Sequence, residues 1–189
     1  MKLHTIVTST RPNRLGHHIG KWFDGIAKAH GGFEAELVDL ADFNLPVFDE
    51  PKHPRFRDYQ HDHTKAWSAS VDAADAFVFV TPEYNYMPPP SFVNAVDFLA
   101  HEWMHKPAAF VSYGGPSGGL RAVQMEKLML VGLKVMPIPE GVALPMFHQQ
   151  IEAEKGFVGN DGQAAAAKAA LDELARWTEA LKGLRVKPV

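Results

Sequence analysis

Three short stretches concentrate the residue types that hold small anions and flat rings. The first, Thr8-Ser9-Thr10-Arg11-Pro12-Asn13-Arg14-Leu15-Gly16, places hydroxyls and two guanidinium groups where an apolar run ends and an amphipathic one begins. At a strand-to-helix junction the free N–H groups and the helix dipole favour an anion. Hydroxyls together with two arginines suit a terminal phosphate monoester, which has more oxygens to satisfy than a bridging diphosphate. The stretch is neither GxGxxG nor GxxxxGK[ST], so a mononucleotide fits it better than NAD or ATP. The competing reading is a solvated Ser/Asn/Pro turn that caps a helix.

The second stretch, Thr81-Pro82-Glu83-Tyr84-Asn85-Tyr86, follows a run that is apolar without a break from Ala76 to Val80. Pro82 biases Thr81 away from helical angles, and Pro88–Pro90 stiffen the far side before a helix at Ser91. Such a loop can present backbone N–H groups and the Asn85 amide to the edge of a heterocycle, with Tyr84 and Tyr86 beside a ring or a partner subunit. The third, Ser112-Tyr113-Gly114-Gly115-Pro116-Ser117-Gly118-Gly119-Leu120-Arg121-Ala122, carries four glycines. Glycine lets a backbone approach a flat ligand with no side chain in the way. A loop cluster of tyrosines and prolines, and a flexible connector, are the plain readings of these two.

Other patterns invite chemistry less convincingly. His101-Glu102-Trp103-Met104-His105 is formally HExxH, the zinc-protease pattern. Pro107 follows at once, so His105 is expected at or beyond a helix end, where i, i+4 chelation is not maintained. His61-Asp62-His63 and His17-His18 sit in polar segments and read as solvated rather than metal-bound.

The elements that must position these stretches follow from periodicity. Apolar, β-rich runs recur at Leu3–Thr8, Ala35–Val38, Ala76–Thr81, Ala108–Tyr113 and Leu133–Met136. Between them, His17–His30, His63–Ala74, Ser91–His101 and Leu120–Val131 repeat apolar residues at helical spacing, and Ala164–Leu181 predicts a last helix. Strand alternating with helix means a parallel sheet covered on both faces, in the doubly wound order 2-1-3-4-5. Ligands of such sheets bind outside the carboxyl ends of the strands, where the three stretches arrive. Asp39–Tyr59, rich in proline and aromatics, is one long irregular segment that is functional or covers something. Trp22, Trp67 and Trp177 sit at core spacing, whereas Trp103, with Phe98 and Met104, is expected to face a second subunit.

Composition bounds the rest. The chain has 189 residues, suits a single domain over 1–189, and carries a formal charge of −3, which gives no field to attract nucleic acid or anionic lipid. The absence of cysteine removes thiolate catalysis, disulfides and iron–sulfur clusters, so redox chemistry requires a bound cofactor. The start of the chain lacks the apolar region of a signal peptide, and no apolar run approaches the ~20 residues of a membrane span. A cytoplasmic protein is expected.

STRPNRLG, YQHDHTKAW, ADAFVFVTPEYNY with NAV-F after it, and SYGGPSGGLRAV together resemble the NADPH-dependent FMN reductase family, the flavodoxin-like group that includes quinone, azo-dye and chromate reductases. The resemblance runs from Thr8 to about Leu144 in the expected order. It implies that Ser9, Arg11, Asn13, Arg14, Leu15 and Gly16 bind the FMN phosphate. It further implies that Pro82, Glu83, Tyr84 and Asn85 line the isoalloxazine ring, and that Ser112, Tyr113, Gly114 and Gly115 close its other side. Thr8, Met87 and Val93 depart from the family's usual Gly, Ser and Lys. NADPH or NADH would be the electron donor, a small molecule the acceptor, and a homodimer or homotetramer the assembly, with ping-pong turnover and no catalytic side chain. Arg55-Phe56-Arg57 offers positive charge for an NADPH 2′-phosphate. The alternatives are an electron-carrying flavodoxin, a nucleotide-sensing module without turnover and, third, a zinc hydrolase.

Overall fold

The unbroken apolar run at Ala76 is the centre of a sheet in the computed structural model, which describes residues 1–185. The final residues of the expected 1–189 domain, 186–189, lie outside the described residues. Strand β3 (Ala76–Pro82) is buried along its whole length. It pairs in parallel with β1 (Lys2–Val7) on one side and β4 (Pro107–Gly114) on the other. With β2 (Glu34–Asp39) and β5 (Met136–Pro145) the order is 2-1-3-4-5, as the sequence predicts. Helices α1 (Gly16–His30), α2 (Asp62–Ala73), α3 (Pro90–Asp97), α4 (Leu120–Gly132) and α5 (Asp161–Leu181) cover it; the small hairpin β6 (Ile151–Glu152) and β7 (Gly156–Phe157) precedes α5.

The pleat divides β3 between two cores. Ala76, Val78 and Val80 join Ile19, Phe23, Leu171 and Leu174 beneath α1 and α5. Phe77 and Phe79 join Trp67, Phe92, Leu99 and Leu130 beneath α2, α3 and α4. Asn160 caps α5 with a capping box in which Gln163 answers, so the helix begins at Asp161, three residues before the predicted start.

Three expectations need correction. The fifth strand begins at Met136, not Leu133, because the Leu133 N–H still bonds the Leu130 carbonyl of α4 and Lys134 turns through φ 59°. Pro137 and Pro139 are tolerated there because β5 is an edge strand. Helix α3 ends at Asp97, and residues 98–105 are turns rather than helix. Phe98 and Trp103 are both 0% exposed, so they cannot face a second subunit. Trp103 instead lies edge-on to Phe77 at 5.0 Å and donates its indole N–H to the Val96 carbonyl at 3.2 Å.

The long segment after β2 is irregular as expected, with 3-10 turns at Leu40–Phe43 and Pro54–Phe56. It is anchored by Glu50, whose carboxylate accepts the N–H groups of Gln60 (2.8 Å) and His61 (3.1 Å) at the start of α2. Trp103→Ala should cost about 3–5 kcal/mol of stability in urea titrations, as large core deletions do. A loss below about 1 kcal/mol would mean that the ring is peripheral.

Candidate functional site

The loop after β1 is fastened before it turns. Both the N–H and the hydroxyl of Thr8 donate to the Val80 carbonyl at 3.1 Å, and the Ser91 hydroxyl donates to the Thr8 carbonyl at 2.6 Å. Asn13, at φ 58°, takes the left-handed conformation that asparagine tolerates, and the Arg14 N–H closes on the Arg11 carbonyl at 3.2 Å. Helix α1 then opens with no side-chain cap and no acid in its first turn, which leaves its first N–H groups free. Arg14 pairs with Asp39 at 2.6 Å, while its Nε is buried without a partner among the described residues. Arg11 is exposed and makes no ion pair among the described residues.

The loop after β3 is a two-residue hairpin. Tyr84 and Met87 exchange N–H···O bonds at 3.0 Å each, and Asn85 (φ 52°) and Tyr86 (φ 71°) form its tip. A bulky aromatic in the left-handed region stores strain. The Tyr86 ring is held beneath the Arg121 guanidinium at 3.9 Å, and the Tyr84 hydroxyl shares a 2.9 Å bond with the Ser9 hydroxyl. Glu83 ties the second loop to the third: its carboxylate accepts the Ser117 hydroxyl at 3.0 Å and the Arg121 N–H at 3.1 Å, and pairs with the Arg121 guanidinium at 3.5 Å.

The glycine-rich loop after β4 is close-packed rather than loose. Gly118 (φ 60°) and Gly119 (φ 85°) are left-handed, and a Cβ at Gly119 would come within 2.9 Å of the Ser112 side chain and the Tyr113 nitrogen. Tyr113 reaches across to α1, where its hydroxyl takes the space of the Cβ that Gly16 lacks. Burial pushes the Tyr113 phenol above its ordinary range and the neighbouring Tyr84 adds to this, so it stays a neutral hydroxyl.

A cavity of about 370 Å³ opens between the three loops, a volume typical of small-ligand pockets. Ser9, Arg11, Asn13, Arg14 and Leu15 form one wall; Pro82, Glu83 and Tyr84 a second; Tyr113, Gly114 and Gly115 a third. Three predicted residues are not on its walls. Gly16 lies behind Tyr113, Ser112 is buried against Gly119, and Asn85 is exposed at the hairpin tip. Phe147 and His148 do line the cavity and were not predicted. Their signal was present: they follow the true end of β5 at Pro145, and placing that strand too early hid its carboxyl edge. The nearby acids Asp39 and Glu83 already have cationic partners, so the walls offer Arg11, the free N–H groups and the orphan Arg14 Nε to an anion.

The other motifs lie elsewhere. The HEWMH residues are in turns, with His105 at φ 59° and the His101 Nε2 bonded to the Arg55 carbonyl at 2.8 Å. Glu102 is fully buried, accepting from Tyr59 (2.9 Å) and Ser68 (2.7 Å) and pairing with Arg57 at 3.2 Å. Among the described residues no group of three His, Cys, Asp or Glu is arranged to hold a metal ion. His61 and His63 both face Asp49, at 3.8 and 3.1 Å, and His17 bonds the Arg14 carbonyl. Arg57 pairs with Glu102 and Asp72, just ahead of the starts of β4 and β3, so the Arg55–Arg57 turn sits at the opposite edge of the sheet from the cavity. A 2′-phosphate of a nucleotide bound at the cavity would lie away from this turn.

A doubly wound sheet of order 2-1-3-4-5, with a cation-rich cavity at the carboxyl edge beside β1, defines a flavodoxin-like protein. The flavoenzyme NAD(P)H:(acceptor) oxidoreductase FerB of Paracoccus denitrificans has this fold, with a TM-score of 0.75 at 23% identity over 95% of this chain and 97% of that one. The sequence model of the NADPH-dependent FMN reductases matches residues 1–149. An NAD(P)H-dependent FMN reductase of Schizosaccharomyces pombe is 40% identical over 147 residues, 76% of this chain and 74% of the relative. An NADPH azoreductase of a Bacillus species is 33% identical over 133 residues, 69% and 70% of the two chains. The chain belongs to the NADPH-dependent FMN reductase family, and is an oxidoreductase of FMN and NAD(P)H.

Gly16→Ala should cost about 1–3 kcal/mol by overpacking, and Tyr113→Phe in the same chain should return part of it. Coupling above about 0.5 kcal/mol in a double-mutant cycle is the expected reading; additive losses would mean that the helix yields instead.

Proposed function

We propose that the cavity holds FMN and that the enzyme passes electrons from NAD(P)H to quinones, azo compounds or similar electron-poor small molecules. The observation that carries this reading is the meeting of the β1, β3 and β4 loops around one cavity, beside an uncapped helix start and two guanidinium groups. Arg11, Ser9, Asn13, the buried edge of Arg14 and the N–H groups near Leu15 take the phosphate. Pro82, Glu83 and Tyr84 flank the ring on one side and Tyr113, Gly114 and Gly115 on the other, with Gly16, Asn85 and Ser112 in supporting places. When bound, FMN supplies the hydride chemistry: it accepts two electrons from a nicotinamide and returns them to a second substrate.

The chain's own part is position and electrostatics. Glu83 keeps two loops in register and Arg121 holds the strained Tyr86. Tyr113 braces α1 against the glycine loop. No side chain acts as a nucleophile, and no cysteine is present to do so. Donor and acceptor use the same opening in turn, which makes turnover ping-pong. The relative named as an azoreductase supports the acceptor class.

A homodimer or homotetramer in the cytoplasm completes the proposal, with residues 1–189 acting as one domain. Leu120, Met125, Leu128 and Val131 support self-association, because α4 exposes all four at 40–70%. Among the described residues no helix is long and apolar enough to cross a membrane.

The test is anaerobic addition of NADPH to the FMN-loaded protein. Bleaching of the flavin band and its return on adding a quinone are expected, with parallel lines in double-reciprocal plots. A band that NADPH leaves intact would point to an electron carrier instead. Arg11→Ala should weaken FMN about ten- to hundredfold in fluorescence titrations, the worth of one charge-assisted phosphate contact, with an unchanged circular dichroism spectrum. Unaltered affinity would place the phosphate elsewhere.

A further inference from the structure

Glu126 is a buried acid with no evident reason to be one. It lies on the face of α4 that also buries Val123 and Leu130, and its residue exposure is 0%. Its Oε1 accepts the Thr81 hydroxyl at 2.5 Å, and its Oε2 is buried with no hydrogen-bond partner among the described residues. An ionised carboxylate with one hydrogen bond and no cation is strongly disfavoured in such a place, whereas an apolar side chain would fill it without penalty.

Among the described residues no charged group nearby relieves it. Strand β3 carries none between Ala76 and Pro82. The only titratable residue on β4, Tyr113, lies in the core on the other face of the sheet. On β5 Glu140 is exposed, as is Asp97 on α3. On α4 itself Lys127 donates to the Ile138 carbonyl at 2.8 Å and Arg121 is engaged by Glu83.

The site's walls begin at Glu126's one partner. Thr81 pairs across the sheet with Ser112, and the next pair is Pro82 with Tyr113, both on the cavity. Helix α4 therefore meets the end of β3 at two points, Glu126 on Thr81 and the Arg121 N–H on Glu83, one on each side of Pro82. We infer that Glu126 is a positioning residue that, as a neutral acid, seats α4 on β3 and thereby sets the Pro82–Tyr84 and Tyr113–Gly115 walls of the cavity, and that its ionisation unseats them. The inference rests on the reading of this cavity as the FMN site.

Burial pushes the Glu126 carboxyl from its ordinary 4.5 up to about 8, against the opposing pull of the Thr81 hydroxyl. The unfolded chain loses this proton near 4.5 and the folded chain near 8, so the folded state loses stability as pH rises through that window and no further above it.

FMN affinity of the wild type and of Glu126→Gln, which stays neutral, should be compared at pH 6.5 and 9.5. The two should agree at the lower pH, and the wild type should bind about thirtyfold more weakly at the higher, the ionised-to-neutral ratio expected there. Agreement within about threefold at both would overturn the inference. Hydrogen exchange of the flavin-free proteins gives a second reading, through the Glu83 and Tyr84 amides that bond Tyr113 and Met87. Their protection should fall above pH 8 in the wild type relative to Glu126→Gln; equal protection would overturn the inference even if neither protein bound FMN, a result that would separately reject the flavin site.

Discussion

Parallel pairing of β1 with both β2 and β3 is the constraint from which the rest of the structure follows. A parallel strand can be joined to its neighbour only by a crossover, so the chain leaves β1 for a helix on one face and reaches β3 through a helix on the other. The loops at the carboxyl end of β1 and β3 then diverge, and the crevice between them is not filled by either connection. Thr8 fixes that crevice by spending both its N–H and its hydroxyl on the Val80 carbonyl. The β1 and β3 walls of the cavity hang from this junction.

Rigidity at the site is obtained from polar ties rather than apolar packing. Glu83 holds the Ser117 hydroxyl and the Arg121 backbone, Tyr84 holds Ser9, and Arg14 holds Asp39. Each tie joins loops from different strands, so their spacing is set by the sheet and not by local sequence. The same ties leave the acids near the cavity neutralised and the start of α1 uncapped, which turns the site toward anions. The strained Tyr86 persists because Arg121, itself fixed by Glu83, covers its ring. Loops this constrained cannot repack cheaply, and a buried acid beneath them, such as Glu126, gains leverage over the cavity that it would lack under a mobile segment.

Order 2-1-3-4-5, the two-faced core and most of the cavity wall were legible in the chain, because strand alternation, strand-end prolines and glycine clusters are local signals. Phe147 and His148 were not, since finding them requires knowing where β5 ends, and two prolines in an edge strand disguise it. Trp103 was expected at a subunit interface, just past a helix over Ser91–His101, yet α3 stops at Asp97 and the turns that follow fold the indole under Phe77. Arg55 and Arg57 looked free, but the partners that claim Arg57, Glu102 and Asp72, are distant in sequence.

What the sequence determined by itself was which segments are strands and helices, and that three loops reach one edge, because periodicity and turn chemistry act over a few residues. Tertiary structure alone decided which side chains face the cavity, which acids are already paired and that Glu126 is buried against Thr81, because contacts between residues far apart along the chain exist only once the sheet has brought them together.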